Sequence, residues 1–262
     1  REILKKTIKK ASKIGLNYYV APEIEYYYIK PENKQFLNDH SGYFDQSSVD
    51  SVGSDLRRET VLSIESMGIP VKHSHHEGAN SQHEIDLRHT NALTMADSII
   101  TFRLAAKEIA AKSGYYASFM PRPYENHNGS GMHINISLFD GDKNIFFNPK
   151  KPSELSEIGK QFFAGLVKHS PEICLITNQW VNSYKRLISG LEAPVLASWT
   201  TGDMNSLIRI PSYRPGREES VRIEYRLPDS ATNPYLTFSI ILAAGLKGIE
   251  KEYELPKPIT RN

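Results

Sequence analysis

The sequence predicts an α+β fold, a concave antiparallel sheet with one polar face, interleaved with amphipathic helices. Four segments carry the strand half of that prediction. Residues His75 to Arg88 read as a hairpin, because the small turn-forming residues Gly78, Ala79, Asn80 and Ser81 separate two extended runs. Glu77 then ends one strand and Glu84 lies on the returning one. Side chains alternate along an extended chain, so Glu84, Asp86 and Arg88 face one way and Ile85 and Leu87 the other. Residues 22–29 repeat the design, with Glu23 and Glu25 opposite Ile24, Tyr26 and Tyr28. So do residues 131–138, with His133, Asn135 and Ser137 on the polar side, and residues 221–227, with Arg222, Glu224 and Arg226. For one such strand alone, a solvated charged face is the favoured reading. Four of them gather carboxylates, an imidazole and arginines on one surface, where the acids repel one another unless a cation sits among them.

The helix half rests on apolar residues at helical spacing, bounded by caps and glycine stops. Residues 1–14 turn Ile3, Leu4, Ile8 and Ala11 inward and a run of lysines outward, and stop at Gly15. A helix from about Ser54 to Met67 ends at Gly68, and a long one over about Asn91 to Lys112 is closed by Ser113-Gly114. Phe119 to Pro123 is extended, and Asn128-Gly129-Ser130-Gly131 is a loop that delivers His133, its glycines allowing close backbone approach. Ser153 opens a helix that carries Leu155, Ile158, Phe162, Phe163, Leu166 and Val167. Residues 182–194 read as a loop from their Gly, Ser and Pro content, offering Arg186 and Glu192. Asn233-Pro234 caps and starts a final apolar helix to about Ile249.

At 262 residues the chain buries a full core, and a net charge of +2 argues against a dedicated nucleic-acid binder. The single cysteine, Cys174, makes no internal disulfide, so a reducing, cytoplasmic setting is expected. The longest apolar stretch, around Phe238 to Leu246, is too short to span a bilayer.

Taken together, several motifs closely resemble the catalytic part of the glutamine synthetase family. They stand in unbroken order as P-E-I-E-Y at Pro22, H-H-E-G-A-N-S-Q-H-E-I-D at His75, F-M-P-R-P at Phe119 and N-G-S-G-M-H-I-N-I-S-L at Asn128. N-S-Y-K-R-L at Asn182, L-E-A-P at Leu191, R-I-E-Y-R-L-P-D at Arg222 and A-T-N-P-Y-L at Ala231 complete the set. The resemblance implies a single catalytic domain over residues 1–262, a fragment of a longer chain, with the curved sheet partly closed into a barrel and helices packed outside.

It also implies two divalent metals, Mg²⁺ or Mn²⁺. By position, Glu25, Glu77 and Glu84 would hold one, and Glu23, His133 and Glu224 the other. The family reaction joins glutamate and ammonia at the expense of ATP, through γ-glutamyl phosphate. Carried over by motif, Arg186, Asn128 and Gly129 bind glutamate, with Arg226 at its γ-carboxyl, and Arg209 and Arg222 take the nucleotide phosphates. Asn135 and Ser137 lie near the nucleotide, Glu192 sits on a flap that takes a proton from ammonium, and Tyr43 is at the ammonium site. The resemblance further implies a cytoplasmic homo-oligomer in the full-length form.

The sequence departs from the family pattern at Met204, which stands where an arginine is usual, at Asn135 in place of a second histidine, and in the turn 78–81. Loss of one preorganised contact to a transferring group costs about 2.7–4 kcal/mol. The resemblance further implies a small β-rich domain before residue 1 and a longer C-terminal end than the one given, neither of which lies within these 262 residues. A γ-glutamyl ligase for an organic amine on the same scaffold, or a non-catalytic nucleotide- and metal-binding paralogue, are the competing readings.

Overall fold

The computed structural model describes residues 1–32, 44, 52–151, 155–195, 197–200 and 206–258. Tyr43, Ser153 and Met204 lie outside the described residues. Helix α1 (Glu2–Ser12) buries Leu4 and Ala11 and leads through Gly15, at φ +79°, into strand β1 (Asn17–Ile29). β1 is longer than the acid motif predicts because Tyr18 and Val20 extend the same alternation toward its start. Helix α2 (Val52–Ser66) is followed by β2 (Val71–His76) and β3 (Gln82–Leu87), the expected hairpin. Short β4 (Thr90–Asn91) runs into α3 (Ala92–Lys112), whose N-cap Asn91 accepts from Thr94 N. β5 (Tyr116–Ser118), β6 (Met132–Asp140) and β7 (Lys143–Asn144) come next.

Helix α4 (Glu157–Thr177) starts later than expected. Its N-cap is Ser156, whose hydroxyl accepts from Gly159 N at 3.0 Å. The segment read as a loop contains helix α5 (Val181–Arg186), and only its residues beyond Arg186 are irregular. Asn182, Ser183 and Tyr184 are weak helix formers, but Ser183 Oγ accepts from Trp180 N at 3.2 Å and fixes the first turn. β8 (Trp199–Thr200), β9 (Ile208–Arg209), β10 (Ile223–Tyr225) and α6 (Pro234–Glu250) complete the chain, with Asn233 capping α6 as predicted.

The strands form one sheet in the order β2-β3-β1-β6-β10-β9-β8, with β4 and β5 on β1 and β7 on β6. All pairs are antiparallel except β8 with β9. The described sheet does not close on itself, so the partly closed barrel is corrected to an open sheet. Pro22 survives in its centre for a geometric reason. Glu25 N–H donates to Gly131 O beside β6 and Tyr28 N–H to Ser81 O beside β3, so even-numbered N–H groups of β1 face the β3 and β4 side. On that side β4 pairs with Tyr19 and Val20 and β3 begins at Glu23, and Pro22 falls in the gap, where its missing donor costs no ladder bond.

One sheet face is apolar. Ile24 is paired with Ile85 and Met132, Ile134 with Tyr225, and Ile136 with Ile223, all fully buried. Helices cover this face, and Tyr225 Oη meets Ser170 Oγ of α4 at 2.9 Å. α4 and α6 approach closely at glycines, since a Cβ on Gly248 would run into Gln161 O. No helix among the described residues is long and apolar enough to cross a membrane.

Candidate active site

Strand register assembles the other face. Directly paired residues share a side of the sheet, and the pairs are Glu25 with Glu84, Glu23 with Asp86 and His133, and Glu224 with Asn135 and Arg209. His75 is paired with Glu84 in turn. Glu25 and Glu84, Glu23 and His133, and Glu224 and Asn135, each more than 50 positions apart in sequence, thus become neighbours.

Two clusters of metal-ligating atoms result, each with its atoms within 4.8 Å of one another: Glu23, His133 and Glu224, and His75, Glu77 and Glu84. The first is the expected trio. In the second His75 takes the place expected for Glu25, with Nδ1 3.5 Å from Glu77 Oε1 and Nε2 3.4 Å from Glu84 Oε1. The sequence did carry a signal for it, because His75 and Glu77 are two apart at the end of the extended run that forms β2. Glu25 stands between the clusters: Oε2 accepts from Gly131 N and Gln82 Nε2, and Oε1 lies 3.7 Å from His133 Nε2.

The electrostatics are those of crowded acids. Burial, with the negative charges of Asp86, Glu77 and Glu25, drives the Glu84 carboxyl well above its ordinary range. Burial and Glu25 push Glu77 up to about 8. Burial outweighs the opposing charge of Arg186 and takes Glu25 to about 7, and burial with Glu23 raises Asp86 to about 6. Glu23 goes the other way. Burial disfavours its charge, but His133 and an Asn135 amide at 2.9 Å hold the carboxyl below its usual value. Burial and Arg226 lower His133, which leaves a neutral imidazole whose buried Nε2 has no hydrogen-bond partner among the described residues.

Arginines border the first cluster. Glu224 is fully buried, accepts from Arg226 NH1 at 2.6 Å on Oε1, and from Arg209 NH2 at 2.5 Å on Oε2. Asn135 joins Glu23 to Arg222, its Oδ1 accepting from Arg222 Nε at 2.8 Å. Beyond it opens a cleft of about 410 Å³ lined by Asn135, Ser137, Arg222, Lys72, Arg88 and Arg217 among others. Three of the expected nucleotide residues therefore share one cationic cleft, whereas Arg209 is engaged with Glu224. Arg88 was expected on the polar strand face with Glu84 and Asp86, whereas Lys72 and Arg217 were not anticipated, since isolated surface charges carry no pattern.

The loop before β6 lies against the clusters. Gly129 has no room for a side chain, as a Cβ there would sit 2.5 Å from Pro121 O and 2.7 Å from Arg186 Cγ. Arg186 is 1% exposed, donating to the backbone carbonyls of Leu227 and Arg226 while its buried Nε has no hydrogen-bond partner among the described residues. Glu192 is exposed, and its charge adds to the negative potential at Glu25 and Glu77.

Carboxylate oxygens, imidazole nitrogen, an orphaned buried His133 Nε2 and acids that raise one another's pKa form a donor set that fits hard divalent cations. An acid-lined sheet face of this kind thus lies beside a cleft of opposite charge, the two halves of a candidate metal- and anion-binding site. The comparisons are more particular. The family model "Glutamine synthetase, catalytic domain" matches residues 1–262, and the chain belongs to the glutamine synthetase family. Glutamine synthetase of Mycolicibacterium smegmatis is 49% identical, covering 97% of this chain and 58% of the relative. That of Methanosarcina mazei is 45% identical, covering 100% of this chain and 59% of the relative. A cryo-EM structure of Plasmodium falciparum glutamine synthetase matches with a TM-score of 0.88 at 30% identity, covering 98% of this chain and 56% of that one. The chain thus spans under three-fifths of the length of these relatives.

Proposed function

We propose that this chain is the catalytic part of an ATP-dependent glutamate–ammonia ligase that forms glutamine through γ-glutamyl phosphate. The observation that carries the reading is the pair of ligand clusters on one sheet face, Glu23/His133/Glu224 and His75/Glu77/Glu84, next to a cationic cleft in a chain of this family. Two divalent ions, Mg²⁺ or Mn²⁺, would be held by these residues with Glu25 between them, and when bound would offset charge on the phosphates.

The residues divide the remaining work. Arg222, Asn135 and Ser137 in the cleft orient the nucleotide. Arg209 and Arg226, released from Glu224, neutralise the group in transfer as the glutamate γ-carboxylate oxygen attacks the terminal phosphorus of ATP and ADP departs. Asn128, Gly129 and Arg186 fix the amino-acid end of glutamate. Glu192 accepts a proton from ammonium, and the ammonia released displaces phosphate from the acyl carbon. Tyr43 belongs to the same reading on its motif position. A cytoplasmic assembly of several copies completes it, to be checked by light scattering.

The test is phosphate release from ATP with Mg²⁺ or Mn²⁺, first with glutamate and then with ammonium or an amine panel. Glutamate-dependent release stimulated by ammonium is expected. Stimulation by a larger amine alone makes the protein a γ-glutamyl ligase for that amine, and binding of metal and ATP without turnover makes it a non-catalytic paralogue.

A further inference from the structure

Gln82 opens β3 directly opposite Tyr27 of β1, and is 1% exposed. Both hydrogens of its amide are used. Nε2 donates to Glu25 Oε2 at 3.1 Å and to Gly129 O at 3.0 Å, while Oε1 faces Tyr27 Oη at 3.3 Å. Tyr27 Oη in turn donates to Asn128 O at 2.6 Å. The orientation of the amide is dictated by these partners, because turning it over would set its carbonyl oxygen against a carboxylate and another carbonyl. Glu25 Oε2 is thereby saturated by Gln82 and Gly131 N, and Oε1 is left as the oxygen aimed at His133.

The loop that receives these bonds has no regular structure of its own. Its ends are tied by Ser130 N–H donating to Pro121 O at 2.7 Å, and Gly129 beside Ser130 packs against the Arg186 side chain. We infer that Gln82 is a positioning residue: one buried amide holds the Glu25 carboxylate and the Asn128–Gly129 backbone in a fixed relation, so that ligand cluster and amino-acid loop are built as one unit. A purely structural glutamine would end its bonds in the core, whereas each of these ends on a group with an assigned task. A ligand shell left loose by about 0.5 Å loses productive geometry, and outer partners of metal ligands are worth about 10–100-fold in affinity. The amino-acid half of this inference rests on the proposed ligase reading.

The experiment compares Gln82→Met, Gln82→Glu and Tyr27→Phe in the full chain, with circular dichroism and Tm as the control for folding. Mn²⁺ is titrated calorimetrically without substrates, amide hydrogen exchange is followed at residues 128–131, and the KM values for glutamate and ATP are measured. Gln82→Met should weaken Mn²⁺ by about 10-fold or more, speed exchange in the loop and raise the glutamate KM, with the ATP KM unchanged. Gln82→Glu should be worse in each readout, since its carboxylate meets Glu25 and Gly129 O. Tyr27→Phe should speed loop exchange and raise the glutamate KM while leaving Mn²⁺ affinity at the wild-type value. A folded Gln82→Met protein with wild-type Mn²⁺ affinity and loop exchange overturns the inference, as does Tyr27→Phe without effect on the loop. If the wild type has no glutamate-dependent turnover, the ligase reading fails alone, and the Mn²⁺ and exchange readouts still decide the role of Gln82.

Discussion

Arg226 NH1 lies 2.6 Å from Glu224 Oε1, and both side chains are almost wholly buried. With Arg209 on its other oxygen, Glu224 is a neutralised acid. Glu84, paired with Glu25 and beside Glu77 and Asp86, is a crowded one. Two proposed ligands of the same ion type are thus held by opposite electrostatics, and their removal should act with opposite sign on the metal-free fold.

Glu84→Gln relieves repulsion and should raise the Tm of the metal-free protein at pH 8, while abolishing the stabilisation that Mn²⁺ confers. Glu224→Gln strands two guanidinium groups and should lower Tm, at a cost of about 3–5 kcal/mol if breaking a buried pair is the guide. Thermal melts with and without Mn²⁺ check both, and Tm changes of the same sign would refute the distinction.

The raised carboxyls set a pH dependence. Glu25, Glu77 and Asp86 titrate in the fold at about 7, 8 and 6, above the ordinary range near pH 4 of an unfolded chain. Between those limits the folded state binds more protons than the unfolded one, so the stability these groups contribute is complete below about pH 4 and lost as pH rises toward 8. Metal binding displaces those protons. Mn²⁺ affinity should therefore rise from pH 6 to pH 8 with proton release, measurable by calorimetry in buffers of different ionisation enthalpy.

Gly129→Ala forces a methyl group against Pro121 O and Arg186. Overpacking of this kind costs about 1–3 kcal/mol. Because the clash falls on the loop proposed to hold the amino-acid end of glutamate, the glutamate KM should rise more than the ATP KM, a difference that steady-state kinetics resolves.

Gly248→Ala tests the α4–α6 contact. Alanine favours a helix over glycine by about 0.8–1.0 kcal/mol, but its Cβ would collide with Gln161 O and lie 2.8 Å from Gly165 Cα. The clash outweighs the propensity, so denaturant melts should show a less stable protein with unchanged Mn²⁺ affinity. A gain in stability would mean that the two helices separate readily.

Local pattern carried far into this fold. Alternation at Glu23/Glu25, His133/Asn135 and Glu224/Arg226 placed these residues on polar strand faces, and Asn233-Pro234 marked the start of α6. Short elements were harder to read. α5 is six residues long with weak helix formers, and β8 and β9 have two residues each, too few to show a period.

Motif order in the sequence determined the family, the strand faces and five of the six candidate ligands now found clustered, because side-chain alternation is a local property of an extended chain. Only the tertiary structure decided that His75 joins Glu77 and Glu84, that Glu25 lies between the clusters, that the sheet is open, and that Gln82 ties the Glu25 carboxylate to the loop before β6. Each of these depends on register between strands distant in the chain. Register is set by which apolar faces pack together, and that is a property of the whole core.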